Sequence, residues 1–149
     1  MGSAEVKLRR AVALDAAALA RLDQLQPWCA HWGEKGWKEE IIQAAGEVWC
    51  AQVQEDIVAF CALRMAAGFG EILNVAVHPK YCRQGIATAL LRRALADVRE
   101  QGAEQLTLEV NEHNGAAISL YRKLGFYEVG RRAKFYNAQD DALIMEIKL

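Results

Sequence analysis

Two side chains in the C-terminal half of the chain, Glu109 and Tyr121, are of types that can take part in proton transfer. Glu109 lies on the polar side of an alternating segment, and a carboxylate placed there can accept a proton from a nucleophile. Tyr121 can donate a proton, because a phenol has a pKa of about 10. Spacing alone leaves a second interpretation open for each residue, in which Glu109 is a solvent-facing carboxylate and Tyr121 is a core tyrosine.

A turn that contains Gly85 joins a strand-like run, which ends at Val77, to a helix. The first N–H groups of a helix have no helical partner, and together with the helix dipole they form a site for a phosphate. Glycine at this place lets the backbone approach such a ligand closely. Any strand-to-helix connection also needs a turn residue, so an ordinary connection remains an alternative. The sequence has no G-x-x-x-x-G-K-[ST] segment, which disfavours a nucleoside triphosphate loop.

Strands and helices that could position these residues are predicted along the whole chain. From Gln84 to about Gln101 the apolar residues fall at i, i+3, i+4, i+7, i+8 and i+11, which is typical of one helix face. Helices alternating with strands and hairpins predict a mixed α/β sheet. Further helices are predicted from Asp15, as N-cap, to Pro27, around Ile41–Ile42 and over 115–124. Strands are predicted over 6–13, 48–53, 57–65, 72–77, 106–111, 126–131 and 142–148, with a hairpin turn at Glu55–Asp56.

Length, composition and charge indicate one globular domain that spans residues 1–149. The hydrophobic fraction is 53% and the charged fraction 25%, as is usual for globular proteins. The net charge of -1 argues against a protein that binds nucleic acid through broad neutralisation of phosphates. The local basic clusters are interpreted as solvated surface; they are Arg92–Arg93 and the group of Arg131, Arg132 and Lys134.

Several kinds of site and location are disfavoured. The four cysteines are scattered, without a C-x-x-C pair or a histidine at ligand spacing, so we expect no metal site. No apolar run approaches the roughly 20 residues that a membrane span requires, and the N-terminus lacks the layout of a signal peptide. We therefore expect a cytoplasmic protein without membrane contact, as a monomer or a weak dimer.

The segment from Cys82 to Thr88 resembles motif A of the GNAT acetyltransferases, [Q/R]-x-x-G-x-[G/A], although Cys82 stands where the family usually has Gln or Arg. In that family the motif's backbone amides bind the pyrophosphate of coenzyme A, and the preceding strand separates from its neighbour and bonds the pantetheine. The resemblance implies acetyl-CoA as co-substrate and the GNAT α/β fold, with a single central mixed sheet and helices on both faces. The implied cofactor contacts are Val75, Ala76, Val77, Arg83, Gln84, Gly85, Ile86, Ala87, Thr88 and Asn114.

A second block of resemblance, L-E-V-x-x-x-N-x-x-A-I-x-L-Y-x-x-L-G-F, begins at Leu108 and ends at Phe126. It is similar to the RimI-type subgroup of the same family and to its archaeal and eukaryotic N-terminal acetyltransferase relatives. The resemblance implies that Glu109 is the proton acceptor and that Tyr121 protonates the departing thiolate. Asn114 matches an Asn that contacts the coenzyme, and it is also a candidate cap of the following helix.

The C-terminal end resembles the family's R-[RK]-x-Y-Y…[ED]-D-A-x-x-M ending, which binds the acceptor together with the loop after the first helix. The implied reaction moves acetyl from acetyl-CoA to the N-terminal alanine amine of a protein, which for the RimI type is small-subunit ribosomal protein eighteen. Asn111 replaces an Arg that is common in the subgroup, and the loop before Asp141 is shorter. The implied walls of the acceptor site are Trp28, Trp32, Phe135 and Tyr136.

Two other functions stay open. An acetyltransferase of the same family could act on a lysine, an antibiotic or another small amine. A coenzyme A-binding module without catalysis would need neither Glu109 nor Tyr121, so their joint presence speaks against it. An α-amine suits a carboxylate base, because its pKa of about 7.7–8 leaves roughly a tenth unprotonated at neutral pH, against under about a thousandth for a lysine amine.

Overall fold

The computed structural model describes residues 5–136 and 138–149, which form one sheet flanked by helices. The strands are β1 (Val6–Arg10), β2 (Gly46–Val53), β3 (Asp56–Ala66), β4 (Phe69–Val77), β5 (Gln105–Asn111), β6 (Tyr127–Tyr136) and β7 (Asp140–Lys148). The helices are α1 (Ala16–Asp23), α2 (Gly33–Ile42), α3 (Ile86–Glu100) and α4 (Gly115–Leu124), with short 3-10 turns at Ala13–Asp15 and Pro79–Tyr81.

The strands lie in the order β1-β2-β3-β4-β5-β7-β6. Among the strands that the structure describes, β4 and β5 run parallel, and every other neighbouring pair is antiparallel. The connection from β4 to β5 includes α3, as parallel neighbours need a crossover. The predicted mixed sheet is confirmed.

Helices cover both faces of this sheet, because alternate strand residues point to opposite sides. On one face, Leu19 of α1 and Trp37 of α2 pack with Phe60 of β3. On the other face, α3 and α4 pack through Leu91 and Ile118 against a larger cluster of strand residues. The predicted arrangement with helices on both faces is therefore confirmed. Among the described residues, no helix is both long and apolar enough to cross a membrane.

The observed boundaries differ from the predicted ones mainly at irregular backbone. β6 continues beyond residue 131 to Tyr136, because register shifts interrupt its ladder with β7 without ending it. The β2–β3 turn consists of Gln54, whose φ is 55°, and Glu55, and so begins one residue earlier than predicted. α1 ends at Asp23, four residues before Pro27. After Asp23 the helical hydrogen bonds give way to single turns, in which Leu25 N donates to Leu22 O and Gln26 N donates to Asp23 O.

Asp15 occupies the predicted N-cap position but does not cap α1 through its side chain. Its carboxylate instead accepts a hydrogen bond of 2.7 Å from Val12 N and forms two bonds with the Arg9 guanidinium, of 2.8 and 2.9 Å. This pairing lowers the pKa of Asp15 from its ordinary value. The predicted cap is therefore a link between β1 and the start of α1.

Candidate active site

The parallel strands β4 and β5 pair over only part of their length. Their register ends at Ile72 opposite Leu108, and within the described residues no pair follows. On its other side β4 remains paired with β3 as far as Val77, while β5 remains paired with β7 as far as Asn111. β4 and β5 therefore separate from each other while each stays paired with its other neighbour, β3 or β7. The backbone of β4 beyond Ile72 faces an opening instead of a partner strand.

A cavity of about 910 Å³ opens where the two strands separate. This volume lies in the range of roughly 300–1,000 Å³ that is usual for small-molecule sites. All but two of the predicted site residues lie on its wall. They are Trp28, Val75, Ala76, Val77, Arg83, Gly85, Ile86, Ala87, Thr88, Glu109, Asn114, Tyr121, Phe135 and Tyr136.

Gly85 precedes α3 with a left-handed backbone, at a φ of 78°. A Cβ added there would meet no protein atom within 4 Å, so the conformation, rather than crowding by the protein, requires glycine. The first helical bond runs from Ala89 N to Gly85 O, at 3.0 Å. The N–H groups of Ile86–Thr88 consequently have no acceptor in the preceding turn, and these residues line the cavity. An anion in the cavity could bind at this helix start.

The remaining residues of the turn have different surroundings. The Cys82 thiol lies 3.9 Å from the Val77 carbonyl oxygen and 3.6 Å from that of His78, on the cavity wall. The Gln84 side chain donates to the Lys80 carbonyl oxygen at 3.3 Å and does not line the cavity.

Glu109 projects from β5 on the face opposite to its buried neighbours Leu108 and Val110. The predicted alternation is thus confirmed, and the Glu109 side chain is 20% exposed. Its Oε1 lies 2.7 Å from Nε of Arg132. Arg132 is exposed, as predicted, but its interpretation as solvated surface missed this ion pair. Arg131 likewise pairs with three acidic residues.

Tyr121 lies on the buried side of α4, where its ring packs edge-on against Phe126 at 5.8 Å. Burial raises the pKa of Tyr121, with smaller contributions from Cys61 and Tyr136. Burial also raises the pKa of Tyr136, and the nearby Glu109 carboxylate adds to that effect. Tyr136 therefore lies within electrostatic reach of both proposed catalytic side chains, and both phenols remain protonated at neutral pH.

The predicted acceptor residues divide into two groups. Trp28 and Phe135 line the cavity while leaving about half of their surface exposed, and the Phe135 ring packs edge-on against Tyr136 at 5.1 Å. Trp32 does not line the cavity. Its ring packs against Trp37 at 4.7 Å, and its backbone N–H donates to the buried Asp23 carboxylate at 3.0 Å. Trp32 thus belongs to the packing between α1 and α2.

Two residues that the sequence analysis did not select connect the loop after α1 to β4. Asn74, only 4% exposed, donates to the carbonyl oxygen of Ala30 at 2.9 Å and accepts from its N–H at 3.0 Å. Gln26 donates to the carbonyl oxygen of Val77 at 2.6 Å. We call residues 24–32 the acceptor loop, because the family resemblance implies that this loop contacts the acceptor. A polar Asn inside an apolar strand was the signal in the sequence, since buried polar groups require partners.

Asn114 has the predicted capping role, since its Oδ1 accepts from Ala117 N at 3.3 Å at the start of α4. It also lines the cavity, so capping and a cofactor contact are compatible. This bond fixes the start of the helix that carries Tyr121.

Three side chains near the end of β5 offer possible metal ligands. The ligand atoms of Glu112, His113 and Asp140 lie within 4.8 Å of one another. Asp140 accepts from the Asn111 side chain at 3.1 Å and pairs with His113 at 3.4 Å, and Glu112 pairs with Arg131 at 3.6 Å. These contacts account for the arrangement, and we assign no metal to it.

Comparison with known proteins supports the family indicated by these features. Residues 14–126 match the model of the acetyltransferase (GNAT) family. The [ribosomal protein bS18]-alanine N-acetyltransferase of Escherichia coli (strain K12) is 35% identical over 96 residues, covering 62% of this chain. That match spans 65% of the Escherichia coli protein, slightly less than two thirds of its length.

One further relative and one solved structure match over more of the chain. The N-alpha-acetyltransferase of Sulfurisphaera tokodaii is 32% identical over 124 residues, which cover 74% of both proteins. The crystal structure of the ribosomal-protein-S18-alanine N-acetyltransferase from Escherichia coli superimposes with a TM-score of 0.88 at 27% identity, over 97% of this chain and 94% of that one. With the separated strands and the glycine turn at the helix start, these matches show that the chain belongs to the acetyltransferase (GNAT) family.

Proposed function

We propose that this protein transfers acetyl from acetyl-CoA to the N-terminal alanine amine of a protein, with small-subunit ribosomal protein eighteen as the physiological acceptor. The observation that supports this most directly is the separation of β4 from β5 into a cavity lined by both Glu109 and Tyr121. The similarity to enzymes whose names include that acceptor supports the choice of substrate. We further propose that the reaction takes place in the cytoplasm.

The cavity has the features that coenzyme A would require. The N–H groups of Ile86–Thr88 at the start of α3 suit its pyrophosphate, since a helix N-terminus favours an anion. The edge of Val75–Val77 that faces away from β3 has no partner strand in the described part of the chain, and its backbone groups suit the amides of the pantetheine arm as donors and acceptors. The Val77 carbonyl oxygen already accepts a hydrogen bond from Gln26, so the acceptors open to the arm come from the rest of this segment. Together these two groups would place the reactive end of the molecule between β4 and β5.

Glu109 is proposed as the base. Its carboxylate would accept a proton from the acceptor's ammonium, directly or through a water, so that the nitrogen lone pair becomes available. Acetyl-CoA supplies the acetyl group as a thioester, whose C–S bond breaks as the new C–N bond forms. An α-amine suits Glu109, since it needs far less help to lose a proton than a lysine amine does.

Tyr121 is proposed as the acid that protonates the departing sulfur. Its raised pKa keeps the phenol protonated and able to donate a hydrogen bond. The same shift makes complete proton transfer less favourable than for an ordinary phenol, by about 1.4 kcal/mol for each pKa unit. We therefore propose that Tyr121 stabilises the thiolate through a hydrogen bond, with full transfer following as the thiol leaves.

The acceptor's first residues would enter between the acceptor loop and the β6–β7 end of the sheet. Trp28 and Phe135 present aromatic surface there, and Tyr136 lies beside Glu109. Trp32 packs against Trp37 and does not line the cavity, so we do not include it in the proposed acceptor wall. We thus propose that the cavity is open between the acceptor loop and the β6–β7 end of the sheet, so that the rest of the acceptor polypeptide can extend away from it.

The test is acetylation of a panel of acceptors, followed by mass spectrometry. The panel contains a peptide beginning Ala-Arg-Tyr, the same peptide with a blocked N-terminus and an internal lysine, and a small polyamine. We expect one acetyl group on the first peptide, at its α-amine. If only the lysine or the polyamine is acetylated, the proposed acceptor is wrong and the acceptor is another amine. If acetyl-CoA binds but no product forms, the protein is a non-catalytic coenzyme A-binding module.

The role of Glu109 is tested in the same assay. Glu109→Gln should lower kcat by about 10²–10⁴-fold, the usual contribution of a general base, while acetyl-CoA binding is retained. Glu55→Gln makes the same chemical change in the exposed β2–β3 turn and should leave kcat unchanged. A Glu109→Gln enzyme with wild-type kcat would show that the base is another group.

A further inference from the structure

The ion pair between Arg132 and Glu109 places a cation where the acceptor's own cation has to bind. The Arg132 Nε lies 2.7 Å from the Glu109 carboxylate, which is a hydrogen-bonding distance for a charged pair. An acceptor amine is mainly an ammonium at neutral pH and must give its proton to that same carboxylate. A guanidinium and an ammonium thus compete for one group.

The position of Arg132 in the sheet explains how its side chain on β6 reaches across β7 to Glu109 on β5. In the strand register Arg132 of β6 lies opposite Ala142 of β7, and Ala142 lies opposite Asn111 of β5. The residue between β6 and β5 is therefore small and fully buried. A long side chain on β6 can extend over it towards Glu109, two residues before Asn111. Arg132 does not line the cavity, but its guanidinium reaches a residue that does.

A second contact holds the guanidinium at the mouth of the cavity. Its carbon lies 5.4 Å from the centre of the Phe135 ring, within the range of a cation–π interaction. Arg132 therefore touches both the proposed base and a proposed acceptor wall. Its side chain is 58% exposed, and the β6–β7 register is interrupted immediately after it, between Arg132 and Tyr136. This position favours a side chain that can move aside.

We propose that Arg132 caps the acceptor-amine subsite, by occupying the place beside Glu109 that the acceptor's ammonium takes, and that acceptor binding displaces it. This inference rests on the proposed role of Glu109 as the base. A guanidinium is suited to this role because it does not lose its proton in proteins and so does not itself become a nucleophile. Arg132 would thus keep the base paired with a cation in the absence of acceptor, and would oppose weakly binding amines.

The test compares steady-state constants of Arg132→Gln with those of the wild type, using whichever amine of the panel the wild type acetylates. Without the competing cation, the acceptor KM should fall by about two- to fivefold, the change that a partly exposed ion pair supports. The acetyl-CoA KM and kcat should stay within twofold. Arg132→Lys, which keeps a cation at this place, should restore an acceptor KM closer to the wild-type value.

Arg131→Gln is the matched control, because Arg131 is also about half exposed and pairs with Glu112, Glu128 and Asp141 instead of Glu109. It should not lower the acceptor KM. An unchanged or higher acceptor KM in Arg132→Gln would overturn the proposal that Arg132 caps the subsite. A lower kcat at unchanged acceptor KM would also overturn it, because that result would show that Arg132 orients the base.

Failure of the proposed function has a different signature. If the alanine peptide is not acetylated but another amine is, the proposed acceptor is wrong and the comparison proceeds with that amine. If no amine is acetylated by the wild type, both the function and the cap are rejected. Binding of the acceptor to the complex with coenzyme A, measured by calorimetry, supplies a second readout, and it should tighten in Arg132→Gln by the same factor.

Discussion

At the scale of single residues, Tyr121 shows how burial changes the chemistry that a side chain can perform. From its type alone the phenol is an acid close enough in pKa to a thiol for proton transfer. In the fold it is 7% exposed, and burial raises its pKa. In its proposed role beside the thioester sulfur, the residue is thus better suited to donate a hydrogen bond than to lose its proton early. Its helix position was predictable, but its environment depended on contacts from distant strands.

Tyr121→Phe is therefore expected to lower kcat by about 10²-fold, at the smaller end of the effects of acid–base residues. The melting temperature should change little, because the ring that packs against Phe126 is retained. Kinetics and thermal unfolding of the same preparation check this. Tyr127→Phe removes an exposed hydroxyl from β6 and serves as the control with unchanged kcat. Equal kcat values in the two variants would remove Tyr121 from the reaction.

Gly85 is a second residue whose role depends on its backbone. Gly85→Ala would force a Cβ into the left-handed region, at a cost of about 1–2 kcal/mol, although no protein atom would clash with it. We expect a lower melting temperature and weaker acetyl-CoA binding, because the start of α3 must shift to relieve the strain. Calorimetric titration and thermal unfolding measure both.

Gly115→Ala is the matched control, since Gly115 begins α4 without a left-handed φ and a Cβ there also meets open space. That variant should be unchanged or slightly more stable, by about 0.4–1 kcal/mol. If both glycine variants bind acetyl-CoA equally well, the turn does not depend on the conformation of Gly85.

At the scale of elements, the sequence predicted the regular parts well and the connections poorly. The predicted helix over 115–124 is confirmed at both ends, because Asn114 and Gly125 supply the chemistry of a helix start and stop. The extension of β6 to Tyr136 could not be predicted, because bulges remove the alternation on which strand prediction depends. The acceptor loop itself was predicted through the resemblance, but the bonds from Asn74 and Gln26 that tie it to β4 were not, since they join residues far apart in the chain.

Asn74 connects two such elements, β4 and the acceptor loop, and Asn74→Ala tests that connection. The loss of both bonds to Ala30 should cost about 1–3 kcal/mol of stability, because the backbone groups of a partly buried loop lose their partner. Since Trp28 lies in the same loop, the acceptor KM should rise several-fold. The acetyl-CoA KM should rise less, because the backbone of Val75–Val77 is still paired with β3.

The two Michaelis constants, measured with thermal unfolding, separate this prediction from general destabilisation. Gln52→Ala also removes side-chain hydrogen bonds, but at the β1–β2 edge of the sheet, and should change neither constant. Equal increases in both constants for Asn74→Ala would mean that the bonds hold β4 itself rather than the acceptor loop.

At the scale of the whole molecule, the sequence predicted that a mixed sheet would carry helices on both faces. It did not supply from its own pattern the strand order or the point at which β4 and β5 part. These follow from long-range pairings, such as β5 with β7, that no local pattern specifies. The resemblance to the acetyltransferases supplied the separation as an implication. The pairing of Arg132 with Glu109 also depends on this order, because β7 lies between their strands.

The order of the strands also creates a buried ionic group that does not line the cavity. Glu47 of β2 is 6% exposed and lies 3.0 Å from the guanidinium of Arg10 on β1, which also approaches Asp97 of α3 at 3.7 Å. Burial raises the pKa of Glu47 above its usual value near 4.5, and Asp97 adds to the effect while Arg10 opposes it. Glu47 therefore holds its proton in the folded protein at pH values where the unfolded chain has already released it.

This shift gives a stability difference of definite sign. As pH rises from about 4 through the raised pKa, the folded state binds more protons than the unfolded state, so Glu47 makes the protein progressively less stable. Glu47→Gln removes this titrating carboxyl group. The melting temperature of the variant relative to that of the wild type should therefore rise between pH 4 and pH 7. Asp15→Asn should show the opposite trend, because Arg9 lowers the pKa of Asp15 and its contribution to stability is lost as pH falls. Thermal unfolding of the three proteins across pH 3–7 measures both differences, and parallel curves for Glu47→Gln and the wild type would mean that Glu47 is ionised alike in the folded and unfolded states.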